Sequence, residues 1–206
     1  MNARAYLVDD DEAIRDSLGW LLESRGVACQ SYPSAEDFLA AWEPSLAGCL
    51  LLDIRMDGMS GPELFDLLNE RGNRLPVIFL TGHGDVPMAV QALKDGAFDF
   101  IEKPYDDNAL VDKVLAALEH DTKRCTREKS LREVQHRLEQ LTQREQEVMH
   151  QILAGKLNKV IADELGIAMR TVEVHRSHIF EKMQVRSAVE LSQVLGLLGN
   201  QSGPES

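Results

Sequence analysis

Apolar positions along this chain follow two regimes. Up to about residue 119, short apolar runs alternate with stretches whose apolar residues recur at helical spacing. The runs predict strands at Tyr6–Val8, Ala28–Tyr32, Cys49–Leu52, Val77–Leu80 (just after Pro76) and Phe98–Ile101. Between them lie five helical patterns. Ile14, Leu18, Leu21 and Leu22 form a stripe that Gly26 ends; Ser34 to Asp37 opens a helix carrying Phe38, Leu39 and Trp42. Gly61 to Leu68 is the third, Val86 to Leu93, stopped by Gly96, the fourth, and Asp106 to Leu118 the fifth. Strands alternating with helices in this way imply a flavodoxin-like, doubly wound, five-stranded parallel sheet over residues 1–120.

Beyond it the pattern is helical only. Residues 119–130 are polar without Gly or Pro, so residues 121–138 read as a helical linker. Leu131, Val134, Leu138 and Leu141 form a short heptad seam, open to two readings: a dimer-forming coil, or a lid packed on the domain that follows. Thr142-Gln143-Arg144-Glu145 is a capping box, and Gly155 and Gly166 end the helices before them. Four helices over residues 139–199, two of them joined by a tight Gly turn, match an all-α helix-turn-helix domain. Residues 200–206 read as a disordered tail.

Composition adds an asymmetry. Hydrophobic content of 44% and charged content of 27% are ordinary for a soluble globular protein. No apolar run approaches a membrane span, and the start of the chain leads into a strand rather than a signal peptide, so a cytoplasmic location is expected. Cys29, Cys49 and Cys125 lack metal-ligand spacing and read as reduced thiols. Residues 1–122 carry 23 Asp and Glu against 9 Lys and Arg, a net of −14. Residues 123–206 carry 11 against 13, a net of +2. The first part repels nucleic acid and attracts cations, whereas the second tolerates DNA.

The chemistry gathers at the carboxyl ends of the strands, where open α/β sheets build their sites. The first strand runs into Asp9-Asp10-Asp11, the third ends at Asp53, the fourth at Thr81, and the fifth leads to Lys103-Pro104. Carboxylates crowded together repel by roughly 4 kcal/mol per pair at about 4 Å, so the cluster calls for a cation, and hard oxygen donors suit Mg²⁺ or Mn²⁺. A carboxylate at such a place can act as a nucleophile and form an acyl phosphate. Asp9, Asp10, Asp53, Thr81 and Lys103 supply the nucleophile, metal donors, hydroxyl and ammonium for that chemistry.

Those same residues resemble the receiver domain of a two-component response regulator. The matching motifs are Val8-Asp9-Asp10 with Arg15 five residues on, Leu52-Asp53-Ile54-Arg55-Met56, Leu80-Thr81-Gly82 and Glu102-Lys103-Pro104. The stretch Thr81-Gly82-His83-Gly84-Asp85-Val86-Pro87 resembles the FixJ-type subgroup in particular, and the whole chain the FixJ/NarL type. The resemblance implies that Asp53 takes a phosphoryl group from a sensor histidine kinase. Asp9, Asp10, Asp53 and the Arg55 main-chain carbonyl would hold the metal, and Thr81 and Lys103 would meet the phosphoryl group. Phe100 would be a rotating aromatic switch, with plain core packing as the alternative. Asp11 is left as an outer neighbour or the cap of the first helix. One departure stands out: Asp57 occupies the place after Met56 where the family often has Pro, adding a charge beside the site.

Residues 139–198 resemble the LuxR-type helix-turn-helix output domain through Leu141-Thr142-Gln143-Arg144-Glu145, Asn158-Lys159, Ile161-Ala162, Leu165-Gly166-Ile167, Arg170-Thr171-Val172 and His175-Arg176. Val172, His175, Ile179 and Met183 share the inward face of the recognition helix, which leaves Arg170, Glu173, Val174, Ser177 and Glu181 on the outward one. Glu173 has two readings, an acceptor for cytosine N4 or a charge that is solvated or paired with a neighbouring Arg; Val174 could touch a thymine methyl, and Ser177 could reach a base edge or phosphate. Lys156, Asn158, Lys159, Arg170, Thr171, Arg176 and Lys182 are candidates for backbone contacts, which orient without specifying.

The sequence therefore reads as a DNA-binding transcription regulator, not an enzyme beyond Mg²⁺-dependent self-phosphorylation and its reversal. Its expected partners are a sensor histidine kinase, double-stranded promoter DNA, a second copy of itself when phosphorylated, and RNA polymerase; no membrane is expected. Phosphorylation would act by dimerisation, by release of the output domain, or both. An Asp-based phosphotransferase or phosphohydrolase is the alternative, weakened by Arg55 where a haloacid dehalogenase-type enzyme carries a second Asp. A phospho-dependent interaction adaptor is another.

Overall fold

A computed structural model describes residues 4–82 and 85–199. The tail expected to be disordered, and His83 and Gly84 of the FixJ-like stretch, lie outside the described residues. The chain divides into two compact units between Cys125 and Thr126.

The first unit contains β1 (Arg4–Val8), α1 (Glu12–Ser24), β2 (Ala28–Tyr32), α2 (Ala35–Ala41), β3 (Gly48–Asp53), α3 (Gly61–Glu70), β4 (Val77–Thr81), α4 (Val86–Lys94), β5 (Asp99–Glu102) and the start of α5 (Asp107–Glu139). The strands are parallel in the order β2-β1-β3-β4-β5. This is the doubly wound sheet that the alternating pattern predicts. The chain steps from β1 out to β2 and crosses back to β3, which opens a crevice beyond the carboxyl ends of β1 and β3.

Side chains alternate across the sheet with period two. Tyr6, Val8, Leu50, Leu52, Val77 and Phe79 pack to one side with Phe38, Leu64 and Ala89. Ala5, Leu7, Cys49, Leu51, Ile78 and Leu80 pack to the other with Leu18, Leu22, Leu110 and Val114. β3 and β4 are buried along their whole length, so their carboxyl ends lie close to rigid core. Local signals fix the helix starts: Asp11 caps α1 by accepting from the Ala13 amide at 2.8 Å, Ser34 caps α2, and Ser60 with Glu63 forms a reciprocal capping box on α3. Asp11 is thus the helix cap of its two sequence readings. Gly61 is required by contact, since a Cβ there would lie 2.1 Å from the Asp53 carbonyl oxygen.

The helix predicted to end near Leu118 and the predicted helical linker are one helix of 33 residues, α5. Asp121 on it is buried and accepts from the Gly48 amide at 2.8 Å, tying the helix to the start of β3.

The second unit has α6 (Gln143–Leu153), α7 (Asn158–Leu165), α8 (Met169–Met183) and α9 (Ala188–Gly199). Its core joins Val134 and Leu138 of α5 and Leu141 to Val148, Ile152, Ile161, Val172, Ile179, Met183 and Leu191. Three of the four heptad-seam residues are therefore used within the unit. α7 ends at Gly166 with φ +64°, a left-handed cap that favours glycine, and this turn sets α7 against α8.

Candidate phosphoacceptor site and nucleic-acid-reading helix

The sheet brings Asp9, Asp53 and Lys103 together. Asp9 follows β1, Asp53 ends β3, and both are buried. The Lys103 ammonium, just beyond β5, donates to Asp9 Oδ2 at 2.9 Å and to Asp53 Oδ1 at 2.6 Å. Burial pushes the Asp53 carboxyl above its ordinary range, against the pull of Lys103. For Lys103, burial works against the charge, but the hydrogen bonds to Asp53 and Asp9 outweigh it and hold the ammonium above its ordinary pKa.

Neighbouring donors fix the remaining oxygens. The Arg55 amide donates to Asp53 Oδ2 at 2.9 Å and the Asp11 amide to Asp9 Oδ1 at 2.9 Å. Arg15, the residue at +5 in the sequence motif, donates from Nη1 to the main-chain carbonyls of Asp9 and Asp10 at 2.8 and 2.9 Å. Asp10 is exposed, and its Oδ2 accepts from the Asp57 amide at 2.8 Å. A proline at 57 would have no N–H to offer, so the departure from the usual family residue supplies a hydrogen bond as well as a charge.

Thr81 is fully buried at the end of β4, and its hydroxyl donates to Gly82 O at 3.0 Å. Phe100 is half-buried against the core, with Lys113 Nζ 6.0 Å from its ring centroid. Among the described residues, no three carboxylate, imidazole or thiolate groups stand as a ready metal cage. The donor chemistry nevertheless suits a hard divalent cation: Asp9 and Asp53 present carboxylate oxygens that already share the Lys103 ammonium, and Asp10, next in the chain, carries an exposed carboxylate.

In the second unit Val172, Ile179 and Met183 are fully buried. His175 is half-buried, with Nδ1 enclosed and without a hydrogen-bond partner. Arg170, Thr171, Glu173, Val174, Ser177 and Glu181 are exposed along α8, as is Lys159 on α7, while Asn158 is half-buried. The Arg176 guanidinium lies 5.3 Å from the Phe180 ring centroid. Two candidates for backbone contact are otherwise engaged: Lys156 pairs with Glu164 at 2.6 Å, and Lys182 with Glu145 at 2.7 Å.

Sequence reasoning missed the reach of the Arg55 side chain to Asp85, the Asp57 amide on Asp10, and the Lys182–Glu145 pair. Each joins residues whose spacing carries no periodic signal.

A buried carboxylate–ammonium cluster at the strand ends, on a chain that also bears a helix-turn-helix, defines a phosphorylation-regulated transcription regulator. Residues 5–115 match the model described as "Response regulator receiver domain", and residues 139–195 match "Bacterial regulatory proteins, luxR family". The chain is 50% identical over 196 residues to the C4-dicarboxylate transport transcriptional regulatory protein DctR of Rhodobacter capsulatus, covering 94% of this chain and 100% of that one. It is 46% identical over 194 residues to the transcriptional regulatory protein FixJ of Azorhizobium caulinodans, covering 94% and 92%. A low-resolution structure of the response regulator StyR matches with a TM-score of 0.89 at 39% identity, covering 95% of this chain and 99% of that one. The chain belongs to the two-component response regulators of the FixJ/NarL type, with a receiver and a LuxR-type DNA-binding domain.

Proposed function

We propose that Asp53 is the phosphoacceptor and that a sensor histidine kinase supplies the phosphoryl group. In the transfer the P–N bond of a phosphohistidine breaks, a bond forms between an Asp53 carboxylate oxygen and phosphorus, and the imidazole leaves with the electron pair. Asp9, Asp10, Asp53 and the Arg55 main-chain carbonyl would hold Mg²⁺, or Mn²⁺ in its place, and the metal would offset charge building on the phosphoryl oxygens. Lys103 keeps its ammonium against Asp53 and stabilises the same charge. Thr81 turns its hydroxyl from Gly82 O to the phosphoryl group, and Phe100 follows. The observation that carries this reading is the Lys103 ammonium bridging Asp9 and Asp53.

The altered face, α4 with β5, then pairs two receivers, releases the output domain, or does both. Two copies of α8 read a promoter through Glu173, Val174 and Ser177, with Asn158, Lys159, Arg170, Thr171 and Arg176 on the backbone; Lys156 and Lys182 join them only on leaving their carboxylate partners. We assign residues 1–120 to the receiver, 121–138 to the linker and 139–199 to the DNA reader. Among the described residues no helix is long and apolar enough to cross a membrane. The proposal places the regulator in the cytoplasm, where it would meet RNA polymerase at its promoters. Chemistry beyond self-phosphorylation and dephosphorylation is not part of the proposal.

The test is acetyl phosphate with Mg²⁺, read by intact mass and by light scattering, with Asp53→Asn as control. One added phosphoryl that the variant lacks is expected; a shift to dimer with it supports receiver pairing, and an unchanged size supports release of the output domain. No phosphoryl on the wild type contradicts the proposal.

A further inference from the structure

Arg55 stands at the phosphoacceptor in two ways. Its amide donates to Asp53 Oδ2 at 2.9 Å, while its guanidinium reaches Asp85, with Nε at 2.7 Å and Nη2 at 2.5 Å from Oδ1. Asp85 is buried and stands at the start of α4, yet its side chain makes no capping hydrogen bond to that helix. The Asp85 amide donates to Gly82 O at 3.0 Å, the same carbonyl that accepts from the Thr81 hydroxyl. A continuous chain of contacts results, from Asp53 through Arg55, Asp85 and Gly82 to Thr81.

The two ends of the ion pair differ. The Arg55 side chain is 74% exposed and the Asp85 side chain 7% exposed, so the guanidinium is free to swing and the carboxylate is not. A phosphoryl group on Asp53 presents new negative charge and several acceptor oxygens. A guanidinium binds such a group in bidentate fashion more strongly than it binds one carboxylate oxygen. Its departure leaves Asp85 as an unpaired buried charge beneath the first turn of α4, a costly state. Thr81, on turning, withdraws a second bond from the same loop.

We infer that Arg55 is a phosphoryl-binding residue held in reserve by Asp85, and that its transfer to the phosphoryl group loosens the start of α4. The inference rests on Asp53 being the phosphoacceptor. It assigns opposite roles to two residues that an ordinary ion pair would treat alike: Arg55 favours the phosphorylated form, and Asp85 competes against it.

The experiment is the steady-state phosphorylated fraction of full-length protein, by intact mass, in Mg²⁺ and at an acetyl phosphate level that leaves the wild type mostly unphosphorylated. Arg55→Gln is expected to lower the fraction and Asp85→Asn to raise it, each by about two- to five-fold, the factor associated with an ion pair that has one exposed partner. The double variant should match Arg55→Gln, because without the guanidinium there is nothing for Asp85 to withhold. Amide exchange over residues 85–94 should be faster than wild type in both unphosphorylated single variants. Fractions that move in the same direction, or that do not move, overturn the inference while leaving Asp53 as phosphoacceptor. A wild type that takes up no phosphoryl overturns the phosphoacceptor reading and this inference with it.

Discussion

Replacing Glu145 with Gln probes how α8 is held in place. Glu145 is buried, its side chain 4% exposed. It accepts from the Thr142 amide at 2.8 Å, the Thr142 hydroxyl at 3.0 Å and Lys182 Nζ at 2.7 Å, with His178 Nδ1 at 3.7 Å. It therefore ties the first turn of α6 to the last turn of α8, the helix that presents Glu173 and Val174. Gln keeps the size and an acceptor oxygen, so the cap, worth about 1 kcal/mol, is largely retained. What goes is the charge in the Lys182 bond. A hydrogen bond to a charged group contributes about 1.5–3 kcal/mol against about 1 for a neutral one, and Lys182, 33% exposed, is partly screened by water. A loss of about 1 kcal/mol is expected for Gln and about 2–3 kcal/mol for Ala, which removes the cap as well.

The pH dependence has a definite sign. Burial opposes the Glu145 charge most, but the hydrogen bonds from Lys182 and Thr142 outweigh it and hold the carboxyl below its ordinary 4.5. Its contribution is therefore present above about pH 4.5 and is lost as pH falls through the lower folded value. Urea unfolding of the full chain, followed by helical circular dichroism at neutral and acid pH, measures both effects. The wild type should lead Gln at neutral pH, with the gap narrowing in acid. A Gln variant as stable as wild type at neutral pH, or a gap that widens in acid, would refute the reasoning.

Lys103→Met leaves Asp9 and Asp53 facing each other without their ammonium, and thermal unfolding should show a loss of about 2–3 kcal/mol that Mg²⁺ restores more in the variant than in the wild type; a loss insensitive to Mg²⁺ would count against a shared cation site. Gly61→Ala places a Cβ 2.1 Å from Asp53 O, so a stability loss of about 1–3 kcal/mol and reduced phosphoryl uptake are expected, and wild-type behaviour in both would refute the contact. Glu173→Ala and Val174→Ala should relax base preference by about 1–3 kcal/mol at one position of the site, whereas Lys159→Ala and Arg170→Ala should weaken binding to all sequences and lower the salt slope by about 1; binding titrations at several salt concentrations separate the two patterns.

Local features were legible because their causes are local. The Thr142–Glu145 capping box, the Gly166 turn and the Ser34 cap each involve residues a few positions apart. The period-two runs gave β2 as observed, and placed β5 one residue early, at Phe98 rather than Asp99. Partners across the fold were not legible. Arg55 and Asp85 are 30 residues apart, and Lys182 and Glu145 are 37 apart; periodicity reports which face a residue occupies, not whom it meets. Residues 131–141 show the same limit: a heptad seam looks alike whether it meets another chain or its own domain, and here Val134, Leu138 and Leu141 meet their own.

The central claim is that phosphorylation of Asp53 controls promoter reading. The most direct measurement is selection of duplexes from a random DNA pool by the full-length protein, with and without acetyl phosphate and Mg²⁺, beside Asp53→Asn. Phosphorylated wild type should enrich a two-fold symmetric site that neither the unphosphorylated protein nor the variant enriches to the same degree. Equal enrichment by all three, or enrichment of no duplex at all, would contradict it.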